Sequence, residues 1–281
     1  MLTEQQIHQF HTFGFLVLKN MLNEDELKIV NDEFEKGLAK KDKSELIAGA
    51  RVQLNWSNLE PHSPFTASLL EDKRFYGIAQ QLFGEDVVGT NSQSNHYAGT
   101  CSPWHPDVGP NIHGFKFTFY LSPVDAESGA LRVIPGSHRP EFSDMISKVR
   151  LRDDNPGPPE DPGLAVNEVP FCSCDSQPGD AVAFNYSIWH ASWHGSKDRR
   201  MVSLQYYKNP KTPEGKEAAR DVVKHIQEHR KDKLTIDRDY PDFWVSNPDN
   251  SPVRARFIKW LREWGYIESS LCDRPRIEGD L

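Results

Sequence analysis

Apolar residues at Leu27, Val30, Phe34 and Leu38 repeat with helical spacing, and Asn23 just before them is a good N-cap. The pattern predicts a helix there. Thr3, with Gln6 as its capping-box partner, predicts an earlier helix over residues 4–12. Gly14 breaks it, and Phe15-Leu16-Val17-Leu18 reads as a short strand. Arg51 to Trp56 alternates like a strand. Leu69, Leu70, Phe75, Ile78, Ala79 and Leu82 predict a helix over about 65–83, with Gly84 as its stop signal. From Val87 the period changes. Short strand-like runs follow at 87–97, 114–121, 130–135, 181–186 and 200–207. Turn residues separate them at Pro103, Gly109-Pro110, Ser128-Gly129, Pro135-Gly136 and Pro178-Gly179. Short strands with such turns predict a mainly β fold, an antiparallel sandwich or jelly roll. A charged helix from Pro213 to about Lys231 and a final one from Val253 to about Trp264 close the chain, the latter burying Phe257, Ile258, Trp260, Leu261 and Trp264. The expected organisation is a single domain over 1–281: helices over 3–84, a core over 87–210 and a helical extension over 211–281. Residues 152–168, rich in Pro, Gly and Asp, predict a long loop of the kind that serves as a lid or a mobile segment.

Composition narrows the function. The 281 residues are 37% hydrophobic and 11% aromatic, enough for a substantial core. A net charge of −8 argues against nucleic-acid binding, which calls for a basic surface. No apolar run approaches the roughly 20 residues that cross a bilayer, and the N-terminus lacks the basic-then-apolar order of a signal peptide. Cys101, Cys172, Cys174 and Cys272 form no zinc-type pair set, and Cys172 and Cys174 are too close for an easy bridge. They read as reduced thiols of a cytoplasmic protein.

The candidate chemistry starts at Trp104-His105-Pro106-Asp107. A histidine and an aspartate two residues apart share one face of a strand, and Pro106 argues that the strand ends there. Together they offer two ligands to a divalent metal. A second histidine would complete the two-His, one-carboxylate face that suits non-haem Fe(II). His190 and His194 are both available; they are not a zinc-protease pair, because Ala191 stands where that motif needs glutamate.

Four features together resemble the phytanoyl-CoA dioxygenase family of Fe(II)- and 2-oxoglutarate-dependent oxygenases. They are the Trp104–Asp107 motif, the run from Ser128-Gly129-Ala130-Leu131 to Pro135-Gly136-Ser137-His138, Gly179-Asp180 followed by His190, and Arg200 entering a strand about ten residues later. The likeness covers most of residues 1–210. It implies a double-stranded β-helix core and Fe(II) held by His105, Asp107 and His190. The co-substrates would be 2-oxoglutarate and O2. By the family pattern Arg200 anchors the far carboxylate of 2-oxoglutarate, with Arg199, on the opposite face of the strand, as the alternative. Ser192 and Asn95 match positions that contact the co-substrate, and Gln93 and Tyr97 share the face of Asn95. His194 falls at the pocket edge and His138 in a structural turn. Trp104, His113, Trp193 and His194 are the expected substrate-pocket residues. Related halogenases lack the carboxylate that Asp107 supplies, so the implied reaction is hydroxylation, or a related oxidation, of a small-molecule substrate with release of succinate and CO2. Two other readings stand beside it: a non-catalytic metal-binding or sensing jelly roll, and a metal oxygenase of similar fold that uses no 2-oxoglutarate. The acidic chain, with no evident basic patch, gives no support for a coenzyme A pocket.

Overall fold

The computed structural model describes residues 1–41, 53–97, 102–109, 113–151, 163–195, 198–230 (side chains to 222) and 240–267. Helix α1 (Glu4–Phe13) leads into β1 (Phe15–Leu18), and α2 (Glu24–Leu38) follows. The capping boxes of Thr3 with Gln6 and of Asn23 with Glu26 both form, and Gly14 ends α1 at φ +85°. Then come β2 (Gln53–Ser57), α3 (Pro64–Ser68), α4 (Lys73–Phe83), β3 (Val87–Tyr97), β4 (Ser102–His105), β5 (Gly114–Tyr120) and β6 (Leu131–Val133). The chain continues through α5 (Pro140–Ser147), β7 (Cys172–Ser173), β8 (Ala181–Asn185), β9 (His190–Ser192) and β10 (Arg199–Lys208). Helices α6 (Pro213–Arg230), α7 (Asp242–Val245) and α8 (Pro252–Glu263) complete it.

The strands form a six-stranded sheet, β1-β8-β5-β10-β3-β2, and a four-stranded sheet, β4-β9-β6-β7, all antiparallel. This is the jelly-roll core that the turn spacing predicts. Strand alternation sorts the large sheet into two faces. Phe115, Phe117 and Phe119 of β5 and Val202, Leu204 and Tyr206 of β10 are buried in the main apolar cluster with Phe34, Leu69, Leu70, Phe75, Phe257 and Leu261 of the helical layer. Each such side chain contributes about 1.5–3 kcal/mol by leaving water. The alternate residues, Lys116, Thr118 and Tyr120 on β5 and Arg199, Met201, Ser203, Gln205 and Tyr207 on β10, line a cavity. The helices thus cover one face, and the other is free to carry a site.

Several expectations change. The helix predicted over 65–83 is two helices. Asp72 accepts from the Arg74 backbone N–H and starts a new helix, and the Leu70 carbonyl exposed by the break accepts from the Tyr206 hydroxyl at 2.9 Å. Apolar spacing cannot see such a break, because Leu69 and Leu70 are fully buried on either reading. Strands β4, β7 and β9 and helix α5 are too short or too polar for their periodicity to stand out. In α8, Phe257, Ile258 and Leu261 are buried, whereas Trp260 and Trp264 are only partly so. Residues 152–162 of the long loop, with Cys101, Cys272, Arg51 and Val52, lie outside the described residues. Residues 163–168 pack beside the four-stranded sheet, where Val166 joins a cluster with Trp104, Ile134, Ile146 and Trp193. Cys172 and Cys174 are free thiols. Among the described residues no helix is long and apolar enough to cross a membrane.

Candidate metal centre

His105 is the last residue of β4 and His190 the first of β9, and the two are cross-strand partners. Their rings lie 4.4 Å apart, centroid to centroid. Asp107 is not on the strand that its spacing predicts. Pro106 ends β4, and Asp107 sits in the following bend, its N–H donating to the Tyr186 carbonyl at 2.9 Å. That bond turns the carboxylate back toward the two imidazoles. One ligand atom from each of His105, Asp107 and His190 lies within 4.8 Å of the others.

The second atoms of the rings are spoken for. His105 Nδ1 is 2.8 Å from the Pro103 carbonyl and His190 Nδ1 is 2.9 Å from the Ile188 carbonyl. A carbonyl can only accept, so each Nδ1 carries the hydrogen, and in the neutral ring Nε2 keeps its lone pair for a metal. Burial holds His190 well below its ordinary pKa, helped by the charges of His105 and Lys116 against the pull of Asp107. For Asp107, burial opposes ionisation, but Lys116, His190 and His105 outweigh it and hold the carboxyl below the usual carboxylate range. A neutral, tautomer-fixed imidazole and an ionised carboxylate are the forms that bind Fe(II).

The triad stands in a cavity of about 710 Å³. Asn95, Ser192, Gln93 and Tyr97 line it, as the sequence leads one to expect. Ser192 Oγ accepts from the Ser102 N–H at 3.3 Å, and Gln93 Nε2 lies 3.5 Å from Asn95 Oδ1. Arg199 also lines it, with 2% of its surface exposed. Its guanidinium lies 4.1 Å from the centre of the Tyr97 ring, Nη1 donates to the Gly129 carbonyl at 2.6 Å, and its buried Nε has no protein partner. Among the described residues no carboxylate pairs with it, which leaves a buried, fixed cation facing a cavity. A carboxylate is the natural complement of such a guanidinium.

Arg200 does not enter the cavity. It points to the opposite face, over the Phe34 ring, and pairs with Glu35 of α2 and with Asp198. The phase of β10 decides this: Arg200 is in step with Val202, Leu204 and Tyr206, which face the helices. Nor do the four expected pocket residues line the cavity. Trp104 donates Nε1 to the Val166 carbonyl at 3.1 Å, and Trp193 packs in the same cluster and against the Arg132 guanidinium. His113 and His194 are exposed. Residues that sequence reasoning missed take their place: Lys116, Thr118, Tyr120, Phe184, Tyr186, Gln205 and Tyr207, with Gln53 and Asn55 from β2. The available signal was the alternation of these side chains with the buried ones in Phe115–Tyr120 and Arg199–Tyr207. His138 is structural, its Nε2 3.3 Å from the His11 carbonyl and its ring against Gly14.

The family model for phytanoyl-CoA dioxygenase matches residues 10–202. The chain belongs to this family. With it, the chain joins the Fe(II)- and 2-oxoglutarate-dependent oxygenases. Its curated relatives include an ectoine dioxygenase of Nocardia farcinica, 26% identical over 67% of this chain and 71% of the relative. Another, from Sphingopyxis alaskensis, is 25% identical over 68% and 70%. Among solved structures, HygX from Streptomyces hygroscopicus with nickel and 2-oxoglutarate bound superposes with a TM-score of 0.58 at 18% identity, covering 74% of this chain and 88% of HygX. EctD from S. alaskensis with 2-oxoglutarate and 5-hydroxyectoine gives 0.55 at 21%, over 73% and 76%. The shared fold is the jelly roll described above.

Proposed function

We propose that this dioxygenase hydroxylates a small, polar organic molecule, with Fe(II) held by His105, Asp107 and His190 and 2-oxoglutarate anchored by Arg199. The observation that supports it most is the pairing, in one cavity, of the converged His-Asp-His set with a buried arginine that no carboxylate among the described residues neutralises. The relatives named for ectoine, and the 5-hydroxyectoine in a neighbouring structure, support the substrate class. When bound, Fe(II) and 2-oxoglutarate supply the oxidant: 2-oxoglutarate goes to succinate and CO2, one oxygen atom of O2 enters succinate and the other enters a substrate C–H bond.

The chain's own residues prepare that chemistry. The Pro103 and Ile188 carbonyls fix the two imidazoles, and the bend after Pro106 aims Asp107. Asp107 fills the position that a halide would need, which favours oxygenation over halogenation. Arg199 offers a planar fork already stacked on Tyr97, so little ordering remains when a carboxylate arrives. Asn95 and Ser192 are the further polar contacts assigned to the co-substrate. Phe184, Tyr186 and Tyr207 supply apolar wall that keeps water from the reacting centre. Succinate release, measured against a panel of small metabolites with Fe(II), 2-oxoglutarate and O2, tests this reading. A substrate-stimulated signal is expected, and it disappears in Asp107→Ala. Succinate formation that survives in Asp107→Ala contradicts the assignment.

A further inference from the structure

Lys116 is the second cation on the cavity wall, and the metal and co-substrate assignments leave it without a role. It lies on β5 between its cross-strand partners Phe184 of β8 and Gln205 of β10, and all three line the cavity. Gln205 is six residues from Arg199 along β10, so the two cations enter the cavity at rows separated by roughly 20 Å of strand. In the reading above, 2-oxoglutarate gives one carboxylate to Arg199 and the other to the metal, so it has none left to pair with Lys116. Lysine heads ordinarily snorkel to water. This side chain is only 15% exposed, and its Nζ lies 5.1 Å from the Phe184 ring centre and 5.8 Å from that of Tyr186. Its counter-ion is Asp107, with Nζ 2.7 Å from Oδ2. That oxygen is also the one 3.8 Å from His190 Nε2, so it faces the triad.

A divalent cation in the triad claims the charge of Asp107. The ledger of the loaded cavity then runs +2 for Fe(II), −2 for 2-oxoglutarate, −1 for Asp107 and +1 each for Arg199 and Lys116. The remainder is +1, and it sits on Lys116, because Arg199 has taken the co-substrate. Asp221, the other carboxylate of the wall, is exposed on α6 and makes no ion pair with Lys116. A desolvated ammonium without an anion is costly.

Building on the reading above, we propose that Lys116 determines specificity by receiving a carboxylate of the primary substrate beside the metal. Gln205 stands next to it as a neutral hydrogen-bonding group. The Tyr186 and Tyr207 rings, stacked 4.7 Å apart at 13°, form the adjoining wall. A carboxylate at Lys116 sets the substrate's charged end close to the triad and leaves its remaining atoms to the carboxamides Gln93 and Asn55 across the cavity.

The test uses acetate and acetamide, which share a shape and differ in charge. Protein loaded anaerobically with Fe(II) and 2-oxoglutarate is titrated with each while the visible iron–2-oxoglutarate band is followed. Acetate is expected to shift the band saturably, and acetamide to bind about tenfold more weakly or worse. Lys116→Met keeps the band and loses the preference; Lys116→Arg keeps both. The proposal is overturned if acetate leaves the band unmoved, if it abolishes the band by displacing 2-oxoglutarate, or if acetamide acts equally well. It is also overturned if Lys116→Met retains the preference, or forms no band at saturating iron, which makes the lysine a positioning residue for the metal. A band missing from the unaltered protein is a separate failure: it removes the co-substrate reading, and this inference with it.

Discussion

The Gly129 carbonyl accepts a hydrogen bond from Arg199 Nη1 at 2.6 Å, and a Cβ on Gly129 would stand 2.5 Å from the same nitrogen. Gly129 also has φ +95°, a conformation that side chains other than glycine's strain to adopt. The Ser128-Gly129 turn, a plain loop signal in the sequence, therefore holds the guanidinium in the cavity. Gly129→Ala is expected to cost about 1–2 kcal/mol of stability and to raise the Kd for 2-oxoglutarate at least as strongly as it lowers Tm. Calorimetric titration of the iron-loaded variant checks this; an unchanged Kd separates the glycine from the arginine.

The two adjacent arginines make a direct comparison. Arg199→Met removes a buried charged partner for a carboxylate, a contact worth about 1.5–3 kcal/mol, so 2-oxoglutarate binding is expected to weaken roughly 10- to 100-fold. Arg200→Met removes ion pairs with Glu35 and Asp198, in which the arginine is 25% exposed and the carboxylates 53% and 60%. Such pairs are worth about 0.2–1 kcal/mol, so a small loss of stability is expected with 2-oxoglutarate binding intact. The opposite ranking of the two Kd values restores Arg200 as the anchor.

His194 and His113 lie outside the cavity, and His194 has φ +49°, which asparagine tolerates well. His194→Asn and His113→Ala are expected to leave 2-oxoglutarate binding and succinate formation within about threefold of the parent protein, below the 1 kcal/mol that marks a lost contact. Trp104→Phe is expected to cost about 1 kcal/mol of stability, the worth of its bond to Val166, again with binding unchanged. Chemical denaturation paired with a 2-oxoglutarate titration separates these effects.

Asp180 of the Pro-Gly-Asp turn takes Lys19 Nζ at 2.7 Å and the N–H groups of Gln177 and Asn20 at 2.9 and 3.1 Å. Burial works against its charge, but the Lys19 and backbone bonds prevail and lower its pKa. A carboxyl that is more acidic in the folded state stabilises above its unfolded pKa, near pH 4, and loses that contribution as pH falls through the folded value. Asp180→Asn is therefore expected to cost about 1–3 kcal/mol at pH 7, a gap that narrows below about pH 4. A gap independent of pH contradicts the assignment.

The sequence made the candidate metal ligands legible because each sits in a local signal. His105 and Asp107 share one tripeptide, and the family pattern, through the spacing from Asp180 and to Arg200, favours His190 over His194. The capping box at Thr3 and the N-cap at Asn23 were equally local. Arg199 was harder. A family position pointed to Arg200, while the alternation Val202, Leu204, Tyr206 put Arg200 on the helix-covered face and Arg199 on the open one. The open face reads as the polar one here because the cavity, rather than solvent, receives it. Lys116 and Gln205 were hidden for the same reason: inward polar residues look like outward ones until it is known which face the helices cover. Trp104 and Trp193 misled in the other direction, since nearness in sequence to the ligands says nothing about which side of β4 or β9 an aromatic takes.

Anaerobic addition of Fe(II) and then 2-oxoglutarate to the purified protein, followed by visible absorption, tests the central claim most directly. A broad iron-to-2-oxoglutarate band is expected at one equivalent of each, absent in His105→Ala and shifted to roughly 10- to 100-fold higher 2-oxoglutarate in Arg199→Met. No band in the unaltered protein, or an equal band in His105→Ala, contradicts it.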